Sequence, residues 1–348
     1  MPYKIGLAAH HCCIRCQKEA LPLIERGHTV HCAAYQVPSF IEHYKTFTLC
    51  TDLGQLSSWV ETMAKEVDLF HAHNEPSWFV SLIKEITDKP VVLDVHDSFL
   101  ARSTPEEDDA KKEAGELHIR VSTEERNNFQ LADALVYPGD AFRKIVETEF
   151  ALTQPALTLP SYVPQHLYRY NAGPWMGGLV YEGKVTTPEN SSHGFQYANY
   201  LDLAKEFNRL GVDFHLYAGK TEKKFHDLYG EIAFVHPPLS YNELLKAVSC
   251  HDWGLVGNLN PSPEWKVAMP NKLFEYLACG VPVVAMNADD CAELILREGI
   301  GIVVKDPDEL AWRWAEHREC RANVIKKRRK FAMDAHIHKL EELYRSLV

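Results

Sequence analysis

The chain has 348 residues, a net charge of −11, 46% hydrophobic residues and 24% charged residues. That length exceeds one ordinary core and suits two, and the balance is that of a soluble globular protein. The acidic excess excludes a general nucleic-acid binder, which needs a basic face against phosphate.

Apolar runs alternate with helical spacing from the start. Lys4–Ala9 reads as a strand, 16–27 as a helix ending at Arg26-Gly27, and Thr29–Ala34 as the next strand. Further strands are expected at 67–72, 91–95 and Ala134–Tyr137, with helices between them. This βαβ rhythm predicts a parallel sheet covered on both faces. Pro155, Pro160, Pro164 and Gly173-Pro174 then interrupt the pattern and read as a linker. The rhythm resumes with strands near 178–181, Phe214–Ala218, 253–256, 282–285 and 302–304. Helices are expected at 201–210, Tyr241–Val248 and 272–279, and the tail from Asp308 is helical by composition. The fold class is therefore α/β, with two Rossmann-like doubly wound domains, 1–165 and 174–330. Ligands in such sheets bind outside the carboxyl ends of the strands, so a cleft between the domains is the expected site.

No apolar run approaches the roughly 20 residues of a membrane-spanning helix. Met1-Pro2-Tyr3-Lys4 carries no hydrophobic leader, and nine irregularly spaced Cys read as free thiols, so a cytoplasmic location is expected.

The most informative stretch is MPNKLFEYLACGVPVVA, residues 269–285. Pro270 opens a helix, Lys272 and Glu275 share one face near its positive end, and Gly280 ends it before a buried strand. A helix N-terminus with a lysine suits a diphosphate, and a carboxylate one turn on can accept from ribose hydroxyls. An isolated Lys–Glu pair would more often be plain surface. The whole stretch, with Pro270, Lys272, Glu275, Ala278, Gly280, Pro282, Val283 and Val284 in register, resembles the donor-binding helix of GT-B glycosyltransferases, nearest to family 4. GHTV after the first helix, DLFHAHNEPSW, VVLDVHDSF, ADALVYPGDAF and LVYEGK follow in that family's order.

The resemblance implies several site residues. Lys272 contacts the donor diphosphate and Glu275 the ribose, with Asn271 and Leu273 beside them in the same turn. Lys184 stands where relatives carry a basic residue, and His193-Gly194 where they carry a Lys-Gly dipeptide. His96 falls where a cleft histidine meets the transferred sugar, so His96, Lys184 and Lys272 are the expected catalytic groups. Residues 331–348 are expected to form a helix returning to the N-terminal domain. Two departures stand out. Val267 occupies a position where relatives carry a first Glu, leaving Glu264 or the amides of 258–264 to replace it. The first loop has HHCCIRC, residues 10–16, in place of a glycine pair.

That loop admits three readings. Zinc would suit its His and Cys, but adjacent ligands are poorly placed and no second cluster is evident. Cys13-Ile14-Arg15-Cys16 has the spacing of a redox pair in a chain otherwise unlike thioredoxin. The preferred reading places His11 and Arg15 in the cleft, with at least two of the three Cys packed. His73, Asn74 and Glu75, after a strand that also carries His71, are read as acceptor-side contacts. Asp306-Pro307-Asp308 reads as a helix cap, and the basic run 326–330 as a solvated helix face that could also touch anionic lipid.

The expected function is transfer of a sugar from a nucleotide-diphosphate donor, UDP- or GDP-linked, to a hydroxyl of a carbohydrate, glycolipid or small molecule. Retention of configuration and independence of metal or other cofactor are expected from the resemblance. The rival readings are a degenerate nucleotide-sugar-binding or regulatory protein and a sugar-nucleotide epimerase. No nucleic-acid partner is expected.

Overall fold

The computed structural model describes residues 2–38, 40–74, 76–98, 117–187, 198–219, 223–260 and 263–348. The side chains of 117–122, 263 and 264 are not among them. The chain divides into two compact units, Met1–Pro164 with Met333–Val348, and Gln165–Ala332.

The first unit is built on a parallel sheet of seven strands among the described residues. These are β1 (Lys4–Ala9), β2 (Thr29–Ala34), β3 (Thr46–Leu49), β4 (Leu69–His73), β5 (Val91–Asp94), β6 (Ala134–Tyr137) and β7 (Ala156–Thr158). Their order is β3-β2-β1-β4-β5-β6-β7. Among the described residues the second unit has six strands: β8 (Leu179–Gly183), β9 (Phe214–Ala218), β10 (Phe234–His236), β11 (Trp253–Gly257), β12 (Val283–Met286) and β13 (Gly301–Val303). They lie in the order β10-β9-β8-β11-β12-β13. All pairings are parallel. In each sheet the chain direction reverses beside its first strand, at β1/β4 and at β8/β11, and that is where such sheets open a ligand crevice.

The central strands are buried throughout, as helices on both faces require, and their sequences are mainly apolar, with His71, His73 and Asp94 the polar exceptions. β3, β7 and β10 escape a sequence reading because they are edge strands of only three or four residues, partly exposed to solvent. Pro155 thus precedes an edge strand rather than opening a linker, a position proline tolerates because its missing N–H is not needed there.

The first helix runs Ile14–Glu25, starting two residues earlier than its apolar spacing suggests, with Cys13 as N-cap. Gly27 at φ 93° reverses the chain toward β2, a conformation that favours glycine. The last helix, Ile337–Arg345, belongs to the first unit. Ile337, Leu340 and Tyr344 are buried in one core with Ile5, Leu7, Cys16 and Leu69. Tyr344 reaches His71 Nδ1 at 2.7 Å, and Glu341 accepts from Arg26 at 2.7 and 2.8 Å and lies 2.8 Å from His28.

Asp306 caps the helix Pro307–Arg313 by accepting from the Glu309 amide at 2.8 Å, so the Asp-Pro-Asp segment is a cap. The basic run is not a purely solvated face. Arg328 donates to the carbonyls of Ala278 at 2.9 Å and Arg169 at 3.1 Å, and Lys327 and Lys330 engage Glu298.

Candidate active site

In the second unit the helix Asn271–Ala278 is held from below. Tyr276 Oη donates to the carbonyls of Val180 at 3.3 Å and Leu255 at 3.2 Å, and its ring lies against Gly254, where a Cβ would come within 2.4 Å. At the far end Arg328 takes up the Ala278 carbonyl and Gly280 turns at φ 73°. The N-cap, Pro270, offers no side-chain cap, so the positive end of the helix is not answered by its own capping residue.

Lys272 sits in this first turn and is 9% exposed. Its Nζ lies 4.9 Å from the Tyr181 ring centre and 5.0 Å from that of Trp265, and it closes on β8, where a Cβ at Gly183 would stand 3.3 Å away. Gly183 has φ 123°, so a side chain is disfavoured there twice over. Burial opposes the charge on Lys272, but Tyr181, Glu182 and Glu275 outweigh it and raise its pKa. The ammonium is therefore charged, desolvated and held on aromatic faces. Glu275, also buried, accepts from Tyr241 Oη at 3.0 Å. Beside them Glu182, Gly183, Lys184, Tyr217, Leu239 and Leu244 line a cavity of about 540 Å³.

The structure thus brings Lys184 to the cavity, and Lys272 beside Gly183 of its lining. Leu273 is fully buried and its amide donates to the Pro270 carbonyl at 3.1 Å, so its side chain is core. Asn271 opens the helix. His193 and Gly194 lie outside the described residues, as does the side chain of Glu264. Within 258–264, Asn258 Oδ1 accepts from the Leu259 amide at 2.7 Å while its Nδ2 donates to Asn199 O at 2.8 Å.

In the first unit a cavity of about 680 Å³ opens at the carboxyl ends of β1, β4 and β5, lined by His10, His11, Cys13, Asn74, Trp78 and His96 among others. Asn74 Oδ1 accepts from the His96 amide at 2.9 Å and fixes the turn. His96 Nδ1 lies 2.8 Å from Asp94 Oδ1. Burial opposes a charge on His96, but Cys13 and Asp94 outweigh it and raise its pKa well above the ordinary value, which favours a protonated ring beside Asp94.

Arg15 lies behind His96 rather than in the cavity. Its Nε forks on Asp94 at 2.8 and 2.9 Å, and Nη2 reaches Asp94 at 2.6 Å and Glu19 at 3.0 Å. An anion-receiving role from the loop would need a guanidinium that this carboxylate already occupies. Asp94 is fully buried, which would raise its pKa, but Arg15, His73 and His96 hold it well below the usual carboxylate range. Glu19 is pushed the other way by burial, against Arg15, and by the charge on Asp94. His73 is buried, 3.6 Å from Asp94 and 3.7 Å from Glu19, with its pKa lowered by burial. It does not line the cavity; Glu75 is outside the described residues.

His73, Asp94 and His96, and separately Glu19, His71 and His73, offer ligand atoms within 4.8 Å of one another. Arg15 lies on both carboxylates, so a divalent cation would meet a positive charge at either group. These residues suit a charge network better than a metal.

Sequence reasoning passed over Asp94, Glu19, Glu182, Tyr241 and Trp265. Only Arg15 and Glu19, one helical turn apart, carried a local signal.

Residues 192–335 match the family model described as glucosyltransferase 3-like, C-terminal domain. Sucrose-phosphate synthase from Thermosynechococcus elongatus superposes with a TM-score of 0.74 at 14% identity, over 99% of both chains. HepE from Anabaena, in complex with UDP and glucose, gives 0.69 at 15% identity over 99% of this chain and 100% of that one. The fold is GT-B. An alpha-glucosyltransferase in complex with UDP-glucose and DNA shares it, with a TM-score of 0.67 at 13% identity over 99% of this chain and 100% of that one. Comparison with curated protein sequences gives no match. Within this GT-B chain the matched family model covers most of the second unit and includes Lys272 and Glu275.

Proposed function

We propose that the chain is a glycosyltransferase that moves a hexosyl group from a nucleotide-diphosphate sugar to an acceptor hydroxyl. The observation that carries this reading is the buried, charged Lys272 one turn from Glu275, on a helix whose N-cap, Pro270, gives it no side-chain cap, inside the segment that matches the glucosyltransferase model. UDP-linked donors are favoured over GDP-linked ones because UDP or UDP-glucose is bound in the neighbouring structures.

In this reading Lys272, Lys184 and the first amides of the helix stabilise the diphosphate as it leaves, and Glu275 holds the ribose. The positive charge is preorganised and poorly hydrated, so it acts on developing charge at little reorganisation cost. A fixed ammonium answers the diphosphate without a metal. His96, cationic and aimed by Asp94, stands on the acceptor side with His11 and Asn74 and donates to a sugar hydroxyl. Retention of configuration, with the leaving phosphate accepting the acceptor proton, follows from the family 4 resemblance and is part of the proposal. The acceptor is a hydroxyl-bearing carbohydrate, glycolipid or small metabolite, and the charge of −11 disfavours nucleic acid. Among the described residues no helix is long and apolar enough to cross a membrane. A cytoplasmic protein, in peripheral contact with lipid at most, fits this reading.

The deciding experiment is release of UDP from UDP-glucose with and without a panel of sugar acceptors, in EDTA and in Mg²⁺. Acceptor-dependent release that EDTA leaves unchanged supports the proposal. Tight UDP binding with no release under any acceptor selects the degenerate binder, a reading that Val267 in place of the family's first Glu favours.

A further inference from the structure

Four cysteines cluster where β1 meets the first helix. Cys13 Sγ lies 3.8 Å from Cys16 Sγ, and Cys12 Sγ lies 3.3 Å from Cys32 Sγ. They are not equivalent. Cys12, Cys16 and Cys32 are buried, whereas Cys13 is partly exposed and lines the first-unit cavity beside His96. Cys13 is also the N-cap of a twelve-residue helix, and it lies near enough to the His96 ring for each group to shift the ionisation of the other. No three of the sulfurs appear among the clusters whose ligand atoms lie mutually within 4.8 Å, so the thiols form pairs and not a metal cage.

We propose that Cys13 is an oxidation site for hydroperoxides and that Cys16 is its resolving partner, which places a reversible disulfide at the wall of the first-unit cavity. The proposal stands on the thiol geometry and does not require the transferase reading.

Three features fit Cys13 to the attacking role. It sits at the positive end of a helix, shares the cavity wall with His96, and is the member of the cluster that lines the cavity. The hydrogen bond from Cys16 and then, against the effect of burial, the charge of His96 hold its pKa well below the ordinary thiol value. Cys16 is raised by burial and stays a thiol that donates to Cys13.

The chemistry closes in two steps. The Cys13 thiolate attacks the terminal oxygen of a hydroperoxide. The O–O bond breaks, an S–O bond forms, and the alkoxide or hydroxide released takes a proton, leaving a sulfenic acid on Cys13. Cys16 sulfur then attacks Cys13 sulfur. The S–O bond breaks, the Cys16 proton joins the departing hydroxide as water, and the disulfide remains. Residues one helical turn apart are within the Cα span a disulfide tolerates, so the backbone need not move far. The disulfide removes the Cys13 thiolate from His96, leaving the ring with Asp94 alone. Reduction by a dithiol restores it.

Trypsin separates the partners, because Arg15 lies between them. Cys12 and Cys13 fall in residues 5–15, Cys16 in 16–18, and Cys32 in 27–45. The full-length reduced protein is treated with hydrogen peroxide, blocked with iodoacetamide and mapped by mass spectrometry. The expected product links 5–15 to 16–18. It is lost in Cys13→Ser, kept in Cys12→Ser and reversed by dithiothreitol. In Cys16→Ser, dimedone labels Cys13 as the trapped sulfenic acid, which tests the first step even where Cys13→Ser folds poorly. A link between 5–15 and 27–45, a link that survives Cys13→Ser, or dimedone on Cys12 would overturn the proposal. So would a native protein that peroxide leaves unmodified.

Discussion

Lys272 and Asp94 show opposite uses of a buried charge. Lys272 is desolvated against Tyr181 and Trp265, and its charge remains available to an anion beside Gly183. Lys272→Met keeps the stem and removes the charge. Loss of one preorganised donor to developing charge costs about 2.7–4 kcal/mol, so kcat with UDP-sugar should fall about 10²–10³-fold with thermal stability retained. Turnover near that of the parent would remove Lys272 from the mechanism. Asp94 is spent internally: it neutralises Arg15 and aims His96. Asp94→Asn leaves a guanidinium buried without a full counter-charge, and breaking such a pair costs about 3–5 kcal/mol. Urea denaturation at neutral pH should show that loss. A change below about 1 kcal/mol would mean that the network is not held by this pair, since that is the range of exposed ion pairs.

At the scale of elements, β9, β10 and the turn before β11 bring three imidazoles together, His236 stacked on His215 and His251 tilted against it. His215 Nδ1 lies 3.0 Å from His236 Nε2, and His251 donates from Nδ1 to the Gly177 carbonyl at 2.6 Å while its Nε2 accepts from Tyr217 Oη, 3.1 Å away. All three are lowered, first by burial, His215 to about 3 and His251 to about 4. The folded state therefore binds fewer protons than the unfolded state, in which a histidine titrates near 6.5. Stability from this stack is complete above that pH and is lost as pH falls toward the folded values, by up to about 1.4 kcal/mol per pH unit for each histidine. Urea midpoints should drop between pH 7 and pH 5, and His215→Asn should flatten the slope. A slope unchanged in that variant would assign the acid sensitivity to other groups.

The elements also separate what was readable from what was not. Thr29–Ala34, Ala134–Tyr137, Phe214–Ala218 and Tyr241–Val248 have the limits their sequences suggest, because their burial is uniform or strictly periodic and Gly, Ser or Pro punctuates them. β3, β7 and β10 were missed because an edge strand of three or four residues, half open to solvent, is too short to set a clear period. Lys272 and Glu275 were legible since one helical turn carries both. Arg15 was misplaced because its partner, Asp94, is 79 residues away, and nothing local says which face of a loop a side chain takes.

For the whole molecule, the two units carry different chemistry, and a ligand should report that division. At 100 times its dissociation constant UDP should stabilise the unit that binds it by about 2.7 kcal/mol. Hydrogen exchange with UDP present should slow at Gly183–Lys184 and along Asn271–Tyr276. Protection confined to His10–Cys13 and His96 would instead place the nucleotide in the first unit and overturn the donor assignment.

The sequence by itself determined the α/β class, the alternation of strand and helix in both units, and the helix Asn271–Ala278 with its Lys–Glu pair. These are local facts, since hydrophobic periodicity and a single helical turn are written in neighbouring residues. Only the tertiary structure decided that Arg15 is locked on Asp94, that His96 is held beside Asp94 with its pKa raised, that Arg328 serves the far end of the helix Asn271–Ala278, and that Cys13 alone of its cluster lines the cavity. Each of those depends on parts of the chain distant in sequence meeting in a dry interior, where burial and a neighbouring charge, rather than residue type, set the ionisation of a group.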